Sequence, residues 1–480
     1  MSKRNEAPVL IVALLLTIGL LGAGGWWLSK QFGLADLGTN SSAPSASGDA
    51  DDPNSSSGTS GASLDTSDRV SFGEKPLVAQ DVAPAKQQAI ANIQTGNFST
   101  AISTFESYLR QNRNDPEALI FLNNARIAQQ DAYTLVVSVP AQTSPNPANE
   151  ILRGVAQAQQ EINQQGGING TPLRIGIASD DNDPETAQDV AEVLASSSDV
   201  LGVIGHFGSE TTLAASSVYE QEQLPLISPT STSVDISEAG EYIFRTVPSD
   251  RFTATTLSRH LVNDLNAPQV ALYYNADSDY SQSLKNEFTT AIYADGGQIV
   301  SEVNVAESGF DAAASVAQAR QQGAQAIALL TNTATLNQAL QVIQTSGNQL
   351  ELVGGDSLYN PRLLEGAGAA AEGMDIAVPW ILLSDPQSPY AQASRQTWGG
   401  DVNWRTAMAY DATLAFAEAI KQSPTRNGIR DALSQPGFQV EGATGRIQFL
   451  PSGDRNQAMQ LVTIESGERS SYGYDFVPLN

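Results

Sequence analysis

The sequence predicts an α/β fold of two doubly wound parallel-sheet lobes, preceded by a transmembrane helix and a short α-helical hairpin. From Tyr133 onward, short apolar runs such as YTLVVSVP alternate with amphipathic helical stretches, a pattern typical of parallel sheets covered on both faces. This alternation continues over about 350 residues, which is too long for one doubly wound sheet and favours two lobes. An apolar stretch near the N-terminus and a helical pattern after residue 80 predict the two preceding elements.

Composition excludes several classes of function. The 480-residue chain has 25 basic and 52 acidic residues, and a net charge of −27 disfavours nucleic acid and anionic lipid headgroups as partners. The chain has 0 cysteines, which excludes disulfides, thiolate metal sites, a cysteine nucleophile and a lipid-modified cysteine. Its 2 histidines, His206 and His260, exclude a histidine-rich metal site. No metal, cofactor or nucleic-acid partner is therefore predicted.

Residues 1–30 are predicted to be an N-terminal membrane anchor. Lys3 and Arg4 precede an uncharged apolar stretch at residues 8–28, which is long enough to span a bilayer core. The basic residues predict that the N-terminus stays inside and the rest of the chain lies on the periplasmic or extracellular side. A cleaved signal peptide is the alternative, but signal peptides have shorter apolar cores. The expected location is therefore the cell membrane, with a single span.

Residues 31–75 are rich in Ser, Gly, Asp and Pro and lack apolar periodicity, which predicts a disordered linker. Residues 76–131 change to a helical pattern, broken at Gly96-Asn97 and again at Asn114–Pro116. Their GNF, AI, FE, YL and DPEA elements resemble a tetratricopeptide hairpin with one following helix. A single such repeat normally needs stacking neighbours. The segment is therefore either a spacer packed on the next domain or a docking unit for a protein partner.

The stretch GVIGHFGSETTLAASS at residues 202–217 is the strongest candidate site. An apolar strand ends at Gly205, and Ser209 is expected as the N-cap of the helix that follows. Ligands bind outside the carboxyl ends of parallel strands, and a helix N-terminus there suits a carboxylate or phosphate. The alternative is that Ser209 only caps its helix. A nucleophilic serine is disfavoured, because the chain has no G-x-S-x-G elbow and His206 is merely three residues away in a turn.

Other motifs are weaker. The hydroxyl-rich ISPTSTS at residues 227–233 ends the next strand and is either a polar ligand contact or ordinary loop composition. SDDNDP at 179–184 lacks the glycine and the closing glutamate of a calcium loop. The G-x-G-x-x-A pattern within residues 364–373 follows a helical stretch rather than a strand, so it is not read as a dinucleotide fingerprint.

From about Tyr133 to the C-terminus the chain resembles the leucine/isoleucine/valine-binding type of periplasmic solute-binding protein, the class I receptors of ABC amino-acid transporters. The matching stretches occur in family order: GVAQAQQEINQQGGINGTPLRI, DDNDPETAQDVAEVL, VIGHFGSETTLAASSVYE, LPLISPTST, FRTVPSD, YNADSDYSQSL, GGDSLYNPRLLEGAGAAAEGM and AMAYDATLAFAEAI. The resemblance implies three crossover strands near residues 248–251, 377–380 and 450–455. The first lobe would take about 132–249 and 379–452, and the second about 250–378 and 453–480, closing on a ligand by hinge bending.

The resemblance also implies a site for an amino acid. Ser209 would bind the ligand α-carboxylate, and Asp356 would pair with the α-ammonium. This charge arrangement is reasonable without the family, because a zwitterion needs an anion site and a buried acid opposite it. The other implied contacts are a backbone carbonyl and a hydroxyl from Ser231 and Thr232, the ring of Tyr280, and walls formed by Phe207 and Tyr359.

This sequence departs from the family pattern at several of these positions. Glu210 follows the serine where another small hydroxyl residue is usual, and Ser281 replaces a glycine after the site tyrosine. Asp356 is one methylene shorter than the glutamate that the family often has. These differences bear on which ligand binds more than on the class of ligand.

The leading functional hypothesis is an extracytoplasmic solute-binding protein of an ABC importer, which binds an amino acid, branched-chain or other, or a related small polar solute and delivers it to a permease. The alternative is a membrane-tethered ligand sensor or scaffold that uses the helical hairpin for protein partners. A hydrolase using Ser209 is disfavoured, because no general base, metal site or cofactor site is legible, so no catalytic residue is predicted.

Overall fold

The computed structural model describes residues 66–78, 82–347 and 349–479. The predicted membrane span at residues 8–28 and most of the predicted linker lie outside these ranges. Within them, every helix is too short or too polar to cross a bilayer. All described residues belong to one unit of the chain, residues 64–480.

The first sheet has six strands in the order β1-β3-β2-β4-β5-β6. Its strands read as nearly continuous apolar runs, because helices cover both faces. All neighbours are parallel except β1, which pairs antiparallel with β3. The strands are β1 (Val70–Ser71), β2 (Tyr133–Val139), β3 (Leu173–Ser179), β4 (Val200–Ile204), β5 (Leu226–Ser228) and β6 (Ile243–Arg245).

The second sheet has seven strands in the order β15-β14-β11-β10-β9-β7-β8. Five of them are parallel, whereas β14 runs antiparallel to β11 and continues through a hairpin into β15. The strands are β7 (Gln269–Tyr274), β8 (Gln298–Asn304), β9 (Ala326–Leu330), β10 (Glu351–Gly354), β11 (Asp375–Val378), β14 (Gln460–Ser466) and β15 (Tyr474–Pro478), and a separate hairpin joins β12 (Val440–Gly442) to β13 (Gly445–Ile447). The prediction of α/β lobes is confirmed, but the expectation of purely parallel sheets is wrong at these edges.

Fourteen α-helices lie within the described residues, and local chemistry explains many of their ends. For example, Asp183 accepts a hydrogen bond from the Thr186 N–H and precedes a proline, the usual start of a helix. The helices are α1 (Pro84–Gln94), α2 (Phe98–Gln111), α3 (Pro116–Arg126), α4 (Pro145–Gln164), α5 (Pro184–Ser196), α6 (Ser209–Gln221), α7 (Asp250–Arg259), α8 (Asp279–Ala294), α9 (Ala312–Gln321), α10 (Leu336–Ser346), α11 (Pro361–Ala367), α12 (Pro389–Trp398), α13 (Trp404–Gln422) and α14 (Arg426–Leu433).

The chain passes between the two sheets three times. It leaves the first sheet after β6, returns after β11, and enters the second sheet again between β13 and β14. We call the first sheet with α1–α6 and α12–α14 lobe 1, and the second sheet with α7–α11 lobe 2. Helix α13 packs along α4 in lobe 1 at Gly154, where a Cβ would lie 2.1 Å from the Thr406 carbonyl oxygen. This close approach fixes the start of α13 beside the space between the lobes.

The helical segment α1–α3 packs on the edge of the first sheet. Residues 116–125 of α3 are all buried. The Asn124 side chain donates to the Ile175 carbonyl oxygen (2.7 Å) and accepts from the Ile175 N–H (3.2 Å), so it extends the edge pairing of β3 beyond β1. The sequence leaves open whether this segment is a spacer packed on the next domain or a docking unit for a partner, and these contacts are the ones expected of a packed spacer. The likeness to a tetratricopeptide stays a prediction.

Candidate ligand-binding cleft

A cleft of about 410 Å³ lies between the two lobes, at the carboxyl ends of strands from both sheets. Small-molecule sites occupy this position in open α/β folds. Its walls come from both lobes: Thr143–Pro147, Asn182, Phe207–Glu210, Thr230, Trp404 and Arg405 from lobe 1, and Ser278, Tyr280, Asn332–Ala334, Asp356, Ser357, Asn360 and Arg362 from lobe 2.

Ser209 lies in the cleft wall at the start of α6, but it is not the N-cap that the sequence predicts. Gly208 holds the N-cap position in extended geometry (φ −88°, ψ 151°), and its carbonyl oxygen accepts the first intrahelical bond from the Thr212 N–H. Ser209 is therefore the first helical residue. Its Oγ accepts from the Ser233 N–H at 3.3 Å, which leaves the hydroxyl proton for another acceptor. The exposed N–H groups and dipole of α6 favour an anion here.

His206 is a structural residue and not a base for Ser209. Its Nδ1 lies 2.7 Å from a carboxylate oxygen of Asp180, and its Nε2 lies 3.0 Å from the Tyr219 hydroxyl. Both ring nitrogens are thus occupied, and the ring is fully buried. His260 does not line the cleft. It bridges Asp264 and Asp375 in lobe 2, where the hydrogen bond to Asp375 raises its pKa.

Asp356 and Tyr280 meet on the lobe 2 wall, where the Tyr280 hydroxyl donates to Oδ1 of Asp356 at 2.6 Å. Burial raises the pKa of Asp356, while the Tyr280 bond and the charge of Arg405 lower it. Gly355 permits this contact, because a Cβ there would lie 2.7 Å from the Tyr280 hydroxyl oxygen. Burial makes the ionised form of this carboxyl energetically costly, and a cation in the cleft would stabilise that form.

Four of the seven site residues named from the sequence line the cleft together: Ser209, Phe207, Tyr280 and Asp356. The other three lie behind its walls. The Ser231 hydroxyl bonds Thr212 at 2.7 Å, the Thr232 carbonyl oxygen accepts from the Asp250 N–H at 2.9 Å, and the Tyr359 ring stacks on Phe476 with centroids 4.3 Å apart.

Arg405 is a cleft residue that the sequence analysis missed. The residue is 6% exposed, and the carboxylates of Asp356 and Glu150 attract its charge without a hydrogen bond to its guanidinium. Nη1 donates to the Tyr359 carbonyl oxygen at 3.3 Å, Nη2 donates to the Asp356 carbonyl oxygen at 3.5 Å, and Nε–H has no partner. The neighbouring Trp404 Nε1–H is also buried without a partner.

A local signal for Arg405 was present in the sequence. Asn403 caps α13, and its Oδ1 accepts from the Arg405 N–H at 3.0 Å, which places Arg405 in the first turn. A cation there opposes the helix dipole, whereas acidic residues are favoured in that turn. A residue that breaks a local rule in this way often has a functional reason.

Glu210 joins the two walls of the cleft. Its Oε1 accepts from the Ser278 hydroxyl at 2.5 Å, and Ser278 is the N-cap of α8 in lobe 2. The residue that departs from the family pattern therefore links the first turn of α6 to the start of α8.

Two α/β lobes joined by three passages of chain, with a polar cleft between them, define a bilobal solute-binding protein. The chain belongs to the periplasmic binding protein family, whose family model matches residues 140–469. The leucine-specific-binding protein of Salmonella typhimurium is 26% identical over 278 residues, which are 57% of this chain and 74% of that protein. This relative is named for the binding of leucine.

Solved structures share the fold of this chain. A leucine-binding protein from Thermotoga maritima superposes with a TM-score of 0.64 at 20% identity, covering 73% of this chain and 99% of that chain. An ABC transporter substrate-binding protein from Desulfitobacterium hafniense, in complex with Leu, superposes with a TM-score of 0.60 at 25% identity, covering 72% of this chain and 100% of that chain.

Proposed function

We propose that this chain is the extracytoplasmic solute-binding protein of an ABC importer, and that it captures an amino acid or a related small polar solute between its lobes for a permease. The observation that carries the proposal is the placement of Ser209, at the N-terminus of α6, and Asp356, on the opposite lobe, in one cleft. The names of the relatives, which bind leucine or belong to ABC transporters, support it.

Binding follows from the charges of the two walls. The α-carboxylate would accept from the Ser209 hydroxyl and from N–H groups of the first turn of α6, where the helix dipole favours an anion. The α-ammonium would pair with Asp356, which Tyr280 holds in place. The lobes would close by bending at the three passages between the sheets.

Calorimetry on the purified full-length chain, preceded by a thermal-shift screen of amino acids, tests this proposal. A solute at a hundred times its dissociation constant stabilises the fold by about 2.7 kcal/mol, which raises the melting temperature. We expect Ser209→Ala and Asp356→Asn each to weaken binding by about tenfold or more, because each removes a partner of one ligand charge. Ser217→Ala, on the exposed face of the same helix, is the matched control. Absence of binding by any amino acid or small acid would contradict the proposal.

We place the binding lobes outside the cytoplasm, held at the membrane by residues 8–28. The length of that apolar stretch and the basic residues before it support this placement. Protease added to spheroplasts, whose outer membrane has been opened, would then digest the lobes, and a chain lacking residues 1–30 would lose its membrane association. A digestion pattern that appears only after lysis would argue against an extracytoplasmic location.

A sensor or scaffold role for the helical segment is the second candidate. Its support is that α2 keeps an exposed polar face, including Ser103 and Ser107, after α3 is buried against lobe 1. Pull-down with the full-length chain and with a Ser103→Arg, Ser107→Arg variant tests this role. Loss of a partner in the variant would favour it, and identical partner sets would count against it.

A further inference from the structure

The lining of the cleft is poorly suited to a branched aliphatic side chain. Its apolar side chains among the described residues are Phe207, Trp404, Ala334 and two prolines, and none is Leu, Ile, Val or Met. Most of the other lining residues carry amides or hydroxyls. Burying a leucine side chain is favourable only against apolar surface, so this lining favours a solute with additional polar groups.

The charges of the lining residues leave one cation without a close counterion. Glu210 bonds Ser278, Asp356 bonds Tyr280, and Arg362 is exposed and donates to Asn337 at 2.8 Å. Arg405 is buried, and the carboxylates of Asp356 and Glu150 attract its charge without hydrogen-bonding to it. Burial lowers the pKa of Arg405. Its guanidinium carbon lies 4.3 Å from the centre of the Trp404 ring, so the group beside this buried charge is an aromatic face and not a carboxylate.

Arg405 also has more N–H donors than there are hydrogen-bond acceptors around it. A guanidinium has five N–H groups. Three hydrogen bonds are present, to the carbonyl oxygens of Tyr359 and Asp356 and to Asn403 Oδ1, and two of them are 3.5 Å long. Nε–H and the adjacent Trp404 Nε1–H have no acceptor. A carboxylate, with two oxygens and about four lone-pair sites, would satisfy several of these donors at once.

We infer that Arg405 receives a second carboxylate of the bound solute, so that the cleft selects amino acids with an acidic side chain over neutral and branched-chain ones. The inference rests on the proposed function, because it assigns the third charged group of a ligand whose α-carboxylate and α-ammonium are held at Ser209 and Asp356. Arg405 acts here as a specificity residue. If Arg405 only held α13 against lobe 2 through its bonds to Tyr359 and Asp356, the protein would not prefer acidic ligands over neutral ones.

Calorimetry with matched ligand pairs tests the inference on the purified full-length chain. We expect glutamate or aspartate to bind about tenfold or more tightly than glutamine or asparagine, and more tightly than leucine, because the amide cannot replace the ionic bond. Arg405→Gln should bring each pair to within about twofold while the amide ligand keeps its affinity. Arg259→Gln, which changes an exposed arginine of α7 that does not line the cleft, should keep the full preference.

The possible results separate this inference from the proposed function. Tighter binding of leucine, or of the amide member of each pair, would overturn the inference and leave the solute-binding function standing. An acid preference that survives in Arg405→Gln would also overturn it. Binding of no amino acid at all would overturn the proposed function itself, and the inference with it. If Arg405→Gln does not fold, the wild-type pairs and Arg405→Lys, which keeps the charge but loses the fork, decide the question.

Discussion

Asp250 is a buried carboxylate at the first residue of α7, where the chain enters lobe 2. Burial raises its pKa from an ordinary 3.8 to about 7, and the nearby charge of Asp356 adds to this. The hydroxyls of Ser283 and Thr232 and the charge of Arg245 act in the opposite direction. The carboxyl is therefore neutral in the folded protein at a pH where an unfolded chain would ionise it.

This pKa makes the free energy of unfolding depend on pH. Between pH 4 and pH 7 the folded state binds a proton at Asp250 that the unfolded state has lost, so stability falls as the pH rises, by up to about 1.4 kcal/mol per pH unit. Asp250→Asn stays neutral throughout and should flatten this part of the curve, gaining stability relative to the wild type at pH 8. Chemical denaturation across that pH range measures it, with the exposed Asp277→Asn as control. Parallel curves for Asp250→Asn and the wild type would contradict the raised pKa.

At the scale of elements, two helix starts face each other across the cleft. The Glu210 to Ser278 bond connects the first turn of α6 to the cap of α8, so these helices approach each other when the lobes are together. The bond lies in the wall of the cleft where the solute is proposed to bind, and it bridges both lobes. It should therefore slow the separation that releases the solute.

Glu210→Ala is expected to raise the dissociation rate of the solute by about threefold to tenfold, because an interlobe bond is lost while the ligand contacts remain. Stopped-flow release of the bound amino acid measures the rate. Glu185→Ala is a suitable control, since this glutamate has the equivalent first-turn position in α5 and is exposed. An unchanged release rate in Glu210→Ala would show that the bond contributes nothing to closure.

Across the whole molecule, the helical segment and lobe 1 should unfold together. Asn124 bonds both backbone groups of Ile175 and also donates to the Phe72 carbonyl oxygen at 2.9 Å. Asn124→Ala leaves these buried groups without partners, which we expect to lower the free energy of unfolding by about 2–3 kcal/mol. Denaturant titration followed by far-ultraviolet circular dichroism measures this, with the exposed Asn286→Ala on α8 as control. If the segment were an independent unit, the main transition would not move.

Periodicity was enough to predict the two α/β lobes, and the strand-end rule was enough to single out Ser209. The pairing of Ser209 with Asp356 in one site came from the family resemblance, with which the strand end before Asp356 agrees. Arg405 could not be placed in the same way. Its position depends on the packing of α13 along α4, a contact between segments about 250 residues apart that no local pattern encodes. Ser231 and Thr232 follow a strand end as expected. However, they bond to Thr212 and Asp250, and so they lie behind the cleft wall instead of lining the cleft.

The docking of α1–α3 and β1 on the edge of the first sheet has a mechanical consequence. A chain that leaves the described fold at residue 66 leaves from lobe 1 alone, since Arg69 is bonded to Asp181 and β1 to β3. A pull on that end would therefore act first on lobe 1. If the preceding residues hold the chain at the membrane, as proposed, tension in them would reach lobe 2 only through the three passages between the sheets.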